Sequence, residues 1–433
     1  MNFRDTLKSN NGILEIGGVK VTDLKKEYGT PLYVMDQTHI EKMCLSYIDG
    51  FKDSGVNGSI AYASKAFCCK EIYRLISKYG LFADSVSGGE LYTAKSVGFD
   101  AIKLIFHGNN KLPYELEEAI DYGVGLIVID GFNEIELLDK IAKNKNVNQK
   151  VLIRVNPGVE AHTHHYIQTA KIDSKFGFSL ANGDTDLAIK SVLNSSNLIF
   201  SGLHCHIGSQ IFEKKSFVIG VNKMMEYYKH LKETFNVEPE ILDLGGGFGI
   251  WYSEGDEKLT YKDYTEFVSL ITKSVKDSAK ENNIKIPYVI LEPGRSIVGE
   301  AGITLYTVGE VKEIKNIKNY LSIDGGMFEN PRFALYQAKY TVCAPEKLND
   351  DATEIYTIAG KCCESGDIIA ESVKLPKMKA GEMLAVFSTG AYNYSMSSNY
   401  NRNKIPPVIF VKDGKSKVVV KGQDYEDIIR NDV

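Results

Sequence analysis

The chain has 433 residues, 43% of them hydrophobic and 25% charged, and its formal net charge is −5. This composition is that of a globular protein long enough for two domains. It excludes the basic surface that nucleic-acid binding requires, and no apolar run approaches the roughly 20 residues of a membrane span.

Cysteine usage and the N-terminal residues bear on the compartment. The seven cysteines include adjacent pairs at Cys68 and Cys362, and none has the spacing typical of a zinc site. The first residues lack the apolar core of a signal peptide. We therefore expect a reduced, cytoplasmic protein that binds no metal.

An alternation of strands and helices begins near residue 40, after predicted strands at Ile13–Ile16 and Pro31–Met35. Short apolar segments are followed by amphipathic patterns with apolar residues every three or four positions. Eight alternations over about 250 residues predict an α/β fold, a (β/α)8 TIM-like barrel. We place it at residues 37–305. A doubly wound open sheet is the alternative, because periodicity does not establish closure. The predicted strands start near Ile60, Leu81, Ile102, Leu126, Val151, Ile199, Ile241 and Val289.

Polar and ionisable residues follow nearly every one of these strands. In a barrel, the C-terminal ends of the strands form the face at which active sites lie. Because the polar residues recur in phase with the strands, we expect them to surround one site. They are Lys65, Asp84–Glu90, His107, Asp130, Arg154–Asn156, His204–Gln210, Gly245–Gly249 and Glu292–Arg295.

After about residue 305 the pattern changes to short strand candidates without long helices between them. This predicts an all-β domain, Greek-key or β-barrel-like, at residues 306–433, which residues 1–36 are expected to join. Its predicted strands are Ile303–Gly309, Tyr320–Asp324, Lys339–Ala344, Thr353–Ala359, Met383–Phe387, Val408–Val411 and Lys417–Val420.

Lys65 ends the buried strand candidate that begins at Ile60. An ammonium group at the mouth of a buried strand is costly to desolvate, so we expect its pKa to fall. A neutral amine is the form that makes a Schiff base with a carbonyl cofactor or substrate. The alternative is a lysine whose head group simply reaches solvent.

Gly245, Gly246 and Gly247 open the glycine-rich segment after the seventh predicted strand. Without Cβ atoms, their backbone N–H groups can approach an anion closely. Loops after strands 7 and 8 of this fold are a frequent phosphate site. A tight structural turn is the alternative. Together with a candidate Schiff-base lysine, the segment indicates pyridoxal 5′-phosphate.

Glu292 and Arg295 lie on one turn after the eighth predicted strand. Such a carboxylate can keep a pyridine nitrogen protonated, which makes the ring an electron sink. A surface salt bridge is the alternative, and the position at the barrel mouth argues against it.

Histidines occur in two places of interest. His206 follows the sixth strand, where it could stack on a cofactor ring while Ser209 reaches the phosphate. A hydrogen-bonded core histidine is the alternative. The polar loop that carries His162, His164 and His165 has no clear carboxylate partner. We therefore expect these three to make loop contacts or shield substrate rather than bind metal.

These motifs resemble the alanine-racemase-like, fold type III pyridoxal-phosphate enzymes, in the family of ornithine, diaminopimelate and arginine decarboxylases. The resemblance covers nearly the whole chain. Asn330–Tyr336, Cys363–Asp367 and Met396–Asn401 resemble the diaminopimelate decarboxylases in particular. The other motifs are Tyr28–Val34, Tyr62–Ala66, Ser85–Leu91, Arg154–Gly158, Asp173–Gly177, His206–Gln210, Gly245–Gly249, Glu292–Arg295, Asp324–Met327 and Gly390–Tyr392.

The resemblance implies that Lys65 carries the cofactor, in a homodimer whose active sites are each completed by the partner's second domain. Cys363 would be the general acid and Glu364 would read the distal ammonium group of the substrate. A buried structural thiol is the alternative for Cys363. Further implied cofactor contacts are Asp84, Gly294, Arg295 and Tyr392. The implied substrate-binding residues are Arg295, Arg332, Tyr336, Glu364 and Tyr392.

The implied activity is decarboxylation of meso-2,6-diaminopimelate at its D-centre, the last step of lysine biosynthesis. Arginines and a tyrosine suit a carboxylate that stays on the product, because a guanidinium can bind it in bidentate fashion. A diamine substrate such as ornithine has no group for that clamp. The alternatives are a decarboxylase of another basic amino acid (D-ornithine, D-lysine or arginine) and a catalytically silent, cofactor-binding regulator.

Overall fold

A computed structural model describes residues 6–158 and 174–433 of the chain. The predicted loop histidines His162, His164 and His165 lie outside the described residues. The described chain forms two compact units. The barrel unit comprises Met43–Gly249 and Leu259–Ser296. The sheet unit comprises the residues up to Lys42, Ile250–Lys258 and Ile297–Val433. The domain boundaries predicted from the sequence, at residues 36 and 305, differ from those of the two units and stay a proposal.

Strands and helices alternate through the barrel unit, and strands dominate the sheet unit, within residues 6–158 and 174–433. The strands are β1 (Lys8–Asn10), β2 (Ile13–Ile16), β3 (Val19–Lys20), β4 (Leu32–Asp36), β5 (Gly58–Ala63), β6 (Phe82–Ser85), β7 (Leu104–Phe106), β8 (Leu126–Ile129), β9 (Gln149–Asn156), β10 (Phe178–Ser179), β11 (Leu198–Cys205), β12 (Ile241–Asp243), β13 (Tyr288–Leu291), β14 (Gly302–Ile314), β15 (Lys318–Ile323), β16 (Val342–Cys343), β17 (Glu354–Ala359), β18 (Ile368–Leu375), β19 (Met383–Phe387), β20 (Val408–Lys412) and β21 (Lys415–Val420). The helices are α1 (Val21–Tyr28), α2 (Gln37–Asp49), α3 (Lys70–Lys78), α4 (Gly88–Lys95), α5 (Pro113–Tyr122), α6 (Phe132–Asn144), α7 (Asp184–Asn194), α8 (Lys214–Phe235), α9 (Tyr261–Glu281), α10 (Arg295–Val298), α11 (Arg332–Tyr336) and α12 (Tyr425–Ile429).

The barrel unit is built on parallel strands that close on themselves. Hydrogen-bonded neighbours follow the order β5, β6, β7, β8, β9, β11, β12 and β13, and β13 pairs with β5. The closing pair aligns Leu291 with Ile60. The predicted (β/α)8 barrel is therefore confirmed, and the open doubly wound sheet is excluded.

The sequence explains why these segments become strands and helices. Strand β8 consists of four buried apolar residues, as expected for a parallel strand covered on both faces. Helix α9 buries Phe267, Ile271 and Val275 at helical spacing, while Lys273 is exposed. Burying such a stripe stabilises the fold by about 25 cal/mol for each Å² of apolar surface removed from water. Within residues 6–158 and 174–433, the helices are too short or too polar to cross a membrane.

The sheet unit is organised around the long strand β14, which pairs with β4, β15 and β19. The main sheet runs β18, β17, β15, β14, β4, β20, β21, and β16 pairs with β19 beside it. Strands β1, β2 and β3 form a smaller sheet. The predicted second, β-rich domain is confirmed, and the N-terminal strand β4 lies inside its main sheet.

Two features of the sheet unit differ from the sequence prediction. The predicted strand Lys339–Ala344 is a strand only at Val342–Cys343. The preceding residues leave the ladder because the backbone N–H of Thr341 donates to Tyr252, which lies outside any strand. Strand β18 was not predicted, because its burial does not alternate and its register shifts near Ser372, which has φ +55°.

Candidate active site

Lys65 lies in the 3-10 turn Ser64–Ala66, directly after strand β5. Its side chain is exposed, whereas its neighbours Ser64 and Ala66 are buried. The expected desolvation of this lysine is therefore wrong for the described structure, because the turn leaves its side chain open to solvent. Its amine remains within electrostatic reach of Asp84 and Glu90.

Two carboxyl groups beside Lys65 have perturbed acidity. Burial raises the pKa of Asp84, against the opposing positive charge of Lys65. Burial, followed by the charge of Asp84, raises the pKa of Glu90 to about 7. The backbone N–H of Val86 donates to Glu90 Oε2 at 2.6 Å and fixes that carboxyl group. Shifted acid groups around an amine are typical of a functional site.

His206 is held by the glycine segment. The backbone N–H of Gly246 donates to His206 Nδ1 at 3.3 Å, so this nitrogen carries no hydrogen. Burial, followed by the positive charge of Lys65, lowers the pKa of His206 well below its ordinary range. The imidazole is thus a neutral aromatic ring near Lys65, as the predicted stacking role requires.

Glu292 is a buried carboxylate held by two histidines. His107 Nε2 lies 2.7 Å from Glu292 Oε1, and His204 Nε2 lies 3.2 Å from Glu292 Oε2. Burial by itself would raise the pKa of Glu292. Electrostatic interactions with the two imidazoles and the hydrogen bonds they donate outweigh burial and hold the pKa well below its ordinary range. Glu292 is therefore an ionised carboxylate inside the barrel.

The glycine segment is tightly packed. A Cβ on Gly246 would lie 2.1 Å from the carbonyl oxygen of Glu292. Gly247 has φ +105°, which favours glycine. The N–H groups of Gly245 and Gly246 donate to Asp243 and His206. Close packing alone thus requires glycine in this segment, and phosphate binding by Gly245, Gly246 and Gly247 stays a prediction.

Arg295 and Ser209 meet on the same unit. Arg295 Nη2 donates to Ser209 Oγ at 3.1 Å. This places a cation and a hydroxyl, both predicted to bind cofactor, side by side. Gly294 directly precedes Arg295, and a Cβ there would lie 2.8 Å from the carbonyl oxygen of Ala63. The turn after β13 therefore packs directly against the end of β5, two residues before Lys65.

The remaining predicted residues belong to the sheet unit, where Arg332 is 7% exposed. Its guanidinium carbon lies 4.6 Å from the Tyr252 ring centroid and 5.6 Å from that of Tyr340. Arg332 Nη1 donates to the Tyr340 hydroxyl at 2.9 Å. Within residues 6–158 and 174–433, no carboxylate forms an ion pair with Arg332. A buried guanidinium that lacks a counter-ion is suited to bind an anion.

Tyr336 and Tyr392 are more accessible than Arg332. Tyr336 ends the short helix α11 that Arg332 begins, and it is 43% exposed. Tyr392 is half-buried and has φ +60°. Such a backbone conformation is strained for a bulky residue and is common at functional sites.

Cys363 and Glu364 are exposed on the loop between β17 and β18. The backbone N–H of Cys363 donates to Asn401 Oδ1 at 2.8 Å, and that of Cys362 donates to Asp367 Oδ2 at 2.7 Å. The loop is therefore fixed while the Cys363 thiol faces solvent. The alternative of a buried structural thiol does not hold for Cys363, whereas it fits Cys362.

Sequence reasoning assigns no role to three residues of the barrel site, His107, His204 and Asp243. The two histidines stand out in the sequence only as polar residues at strand ends, and Asp243, the last residue of β12, does not stand out at all. Each of the three offers one nitrogen or oxygen atom that could bind a metal ion, and these atoms lie within 4.8 Å of one another and of a carboxylate oxygen of Glu292. The sequence signal that could have revealed these residues is their position at the ends of strands.

The barrel residues fit the predicted cofactor, pyridoxal phosphate. Lys65 supplies an accessible amine, and neutral His206 supplies an aromatic surface. Glu292 supplies an ionised carboxylate that can pair with a protonated ring nitrogen. Arg295 and Ser209 supply a cation and a hydroxyl for a phosphate.

Comparisons with known proteins agree with this chemistry. Residues 38–299 match the family described as pyridoxal-dependent decarboxylase, pyridoxal binding domain. The chain is 47% identical over 426 residues to the diaminopimelate decarboxylase of Bacillus subtilis (strain 168), covering 98% of this chain and 96% of that protein. It is 46% identical over 429 residues to the diaminopimelate decarboxylase of Staphylococcus aureus (strain COL), covering 99% of each.

Solved structures show the same fold. One is described as diaminopimelate decarboxylase from M. jannaschii in co-complex with L-lysine. It has a TM-score of 0.92 and 34% identity, over 99% of this chain and 98% of that chain. Another is described as the diaminopimelate decarboxylase of Helicobacter pylori complexed with L-lysine. Its TM-score is 0.85 at 28% identity, over 95% of this chain and 98% of that chain.

Proposed function

The chain belongs to the family of pyridoxal-dependent decarboxylases, and we propose that it removes carbon dioxide from the D-centre of meso-2,6-diaminopimelate, leaving L-lysine. Pyridoxal 5′-phosphate is its cofactor. The relatives named for this reaction match along the whole chain, so both units, and not the barrel alone, are shared with them. The individual residue roles that follow are proposals.

The barrel unit holds the cofactor. Lys65 would bond to the aldehyde carbon of the cofactor, His206 would pack on its ring, Glu292 would pair with its ring nitrogen, and Arg295 and Ser209 would contact its phosphate. Asp84, Gly245, Gly246, Gly247 and Gly294 line the same site. When bound, the cofactor supplies an electron-withdrawing ring that accepts the electron pair left behind by carbon dioxide.

Arg332 is the observation that favours diaminopimelate as substrate. This guanidinium is buried against Tyr252 and Tyr340 and forms no ion pair with a carboxylate in the part of the chain that the structure describes. A substrate carboxylate that stays on the product would supply the missing counter-ion. We propose that Arg332, Tyr336 and Tyr392 of the sheet unit bind this distal carboxylate, while the substrate contact of Arg295 stays a prediction. A carboxylate that leaves gains nothing from such pairing, because pairing stabilises it before the reaction.

A proton must replace the departing carboxylate on carbon. We propose that the Cys363 thiol donates it and that Glu364 binds the distal ammonium group. Both residues are exposed on a loop of the sheet unit whose backbone is held by hydrogen bonds. Exposed side chains of this kind are accessible to another subunit. We propose further that they reach the active site of a partner subunit in a homodimer. A cytoplasmic location is part of the same proposal, in keeping with the reduced cysteines that the sequence predicts.

The alternatives make different predictions for one assay. Carbon dioxide release should be measured with diaminopimelate, lysine, ornithine and arginine at equal concentrations. The proposed function predicts release from diaminopimelate and little from the other three, because only diaminopimelate carries the distal carboxylate. Preferential release from another substrate would favour a different basic amino acid decarboxylase. Release from none of them, with cofactor bound, would favour the silent regulator.

A further inference from the structure

A buried cluster surrounds Glu292 in the barrel unit and consists of Glu292, His107, His204 and Asp243; we call it the Glu292 cluster. Each of the four side chains is at most 7% exposed. They come from the ends of four strands, β7, β11, β12 and β13. The rings of His107 and His204 meet edge to face, with centroids 4.8 Å apart.

Each of the two histidines forms a hydrogen bond with a different oxygen of the Glu292 carboxylate. His107 Nε2 donates to Oε1 at 2.7 Å, and His204 Nε2 donates to Oε2 at 3.2 Å. Both imidazoles must donate, because an ionised carboxylate only accepts hydrogen bonds. His204 Nδ1 has no hydrogen-bond partner among the described residues, which fits a neutral ring with its hydrogen on Nε2. Two donors on two oxygens fix the rotation of the carboxylate.

The site contains other carboxyl groups, and they differ from Glu292. Burial raises the pKa of Asp84, and burial followed by the charge of Glu292 raises that of Asp243 well above its ordinary range. Glu292 alone of the three has a lowered pKa, and it alone accepts from both imidazoles. Among these three carboxyl groups, the surroundings of Glu292 thus favour the ionised form.

We propose that His107 and His204 are positioning residues that orient the Glu292 carboxylate toward the ring nitrogen of the bound cofactor. The inference rests on the proposed function for the presence of that ring. A carboxylate offers about four lone-pair positions. The two imidazoles use one on each oxygen, which leaves positions free for a ring N–H. The same four side chains could instead surround a metal ion, and the experiment separates these cases.

The test uses the enzyme loaded with cofactor labelled with ¹⁵N at the ring nitrogen, because its chemical shift reports whether that nitrogen is protonated. His107→Phe removes one donor, and His107→Gln keeps an amide N–H close to the position of Nε2. The ring nitrogen should be protonated in the wild type and in H107Q and should shift toward the neutral form in H107F. The kcat of H107F should fall by at least about 10-fold while its KM for diaminopimelate changes little. His230→Phe is the matched control, since His230 pairs with Asp186 at 2.9 Å on a partly exposed surface.

Glu292→Gln provides the reference for a ring without its carboxylate. Adding H107F to E292Q should not move the nitrogen signal further, because the histidine acts only through Glu292. Should H107F fail to fold, His204→Phe removes the second donor and carries the same comparison.

Several results would overturn the positioning role. They are a wild-type-like nitrogen signal and kcat in H107F and H204F, or one metal ion per chain in the active wild type that H107F loses. Failure of the proposed function is separate from these results. Absence of carbon dioxide release by the wild type refutes the function, while the nitrogen signal can still be read. A wild type that binds no cofactor refutes both.

Discussion

Arg332 Nη1 donates a 2.9 Å hydrogen bond to the hydroxyl of Tyr340, inside a pocket where both side chains are at most 7% exposed. The Tyr340 hydroxyl in turn lies 3.4 Å from Asn393 Oδ1. The arginine is therefore held before any substrate arrives. A preformed cation of this kind loses little conformational freedom on binding an anion, which favours tight and specific recognition.

Replacing Arg332 by alanine should weaken substrate binding selectively. Losing one partner of a buried charge pair costs about 2–5 kcal/mol, so KM for diaminopimelate should rise by at least roughly 30-fold. Arg332→Lys should recover only part of the loss, because a lysine lacks the bidentate fork. Arg74→Ala is the control, since Arg74 is exposed and pairs with Glu71 on α3. Equal losses of substrate and cofactor affinity in R332A would contradict the clamp.

Replacing Lys65 by alanine should abolish nearly all turnover, because in the proposed function this amine both anchors the cofactor and exchanges it with substrate. The wild type should absorb visible light and lose that band on borohydride reduction, with the label recovered on the Lys65 peptide. Lys70→Ala is the matched control, because Lys70 is also exposed and begins the next helix. Recovery of the label on a different lysine would refute the assignment.

Glu329 should make stability depend on pH. Burial raises the pKa of this carboxyl group to about 8, although Tyr306 donates to it at 2.7 Å. The folded state therefore keeps a proton that the unfolded state releases above its ordinary pKa of about 4.5. The stabilisation is complete below that pKa and is lost progressively as the pH rises to about 8.

The measurement compares wild type with Glu329→Gln, which cannot titrate. The free energy of unfolding of the wild type relative to E329Q should fall by up to about 1.4 kcal/mol per pH unit between about pH 5 and pH 8 and then level off. Glu117→Gln, at an exposed position on α5, should leave the wild-type profile unchanged. Parallel profiles for wild type and E329Q would show that Glu329 does not titrate in this range.

Mixing inactive subunits tests whether active sites are shared. In the proposed dimer, Lys65 comes from one chain and Cys363 from the other. Lys65→Ala mixed with Cys363→Ala therefore gives mixed dimers with one intact site and one doubly defective site. At equal mixing about half the dimers are mixed, so activity should recover to roughly a quarter of wild type. No recovery after demonstrated subunit exchange would mean that each chain uses its own Cys363.

Much of the barrel was predictable because buried parallel strands are short apolar runs that end in polar residues. Strand β8, Leu126–Ile129, is such a run and was placed correctly. Closure was not predictable, because periodicity does not say which edges pair. The alignment of Leu291 with Ile60 is visible only in three dimensions. The prediction of a strand over Lys339–Ala344 was wrong for a related reason. A non-local hydrogen bond from the N–H of Thr341 to the carbonyl oxygen of Tyr252 determines the backbone conformation there.

The site was predictable where one residue type implies one chemistry. A lysine after a strand, a glycine segment and a carboxylate at the last strand together indicated the cofactor. The Glu292 cluster was not predictable, because Glu292 lies 185 residues from His107 and 88 from His204 in the sequence. The exposure of Lys65 was also missed, because the strand pattern does not reveal the 3-10 turn that follows it.

Isotope incorporation tests the proposed reaction most directly. The wild type should be incubated with meso-2,6-diaminopimelate in deuterium oxide, and the L-lysine and carbon dioxide should be quantified. Equal amounts of both are expected, and the lysine should carry a single carbon-bound deuterium at Cε, where a C–D bond replaces the bond to the lost carboxylate. Its Cα should retain hydrogen, because the L-centre does not react. Deuterium at Cα, or carbon dioxide without deuterium at Cε, would contradict decarboxylation at the D-centre.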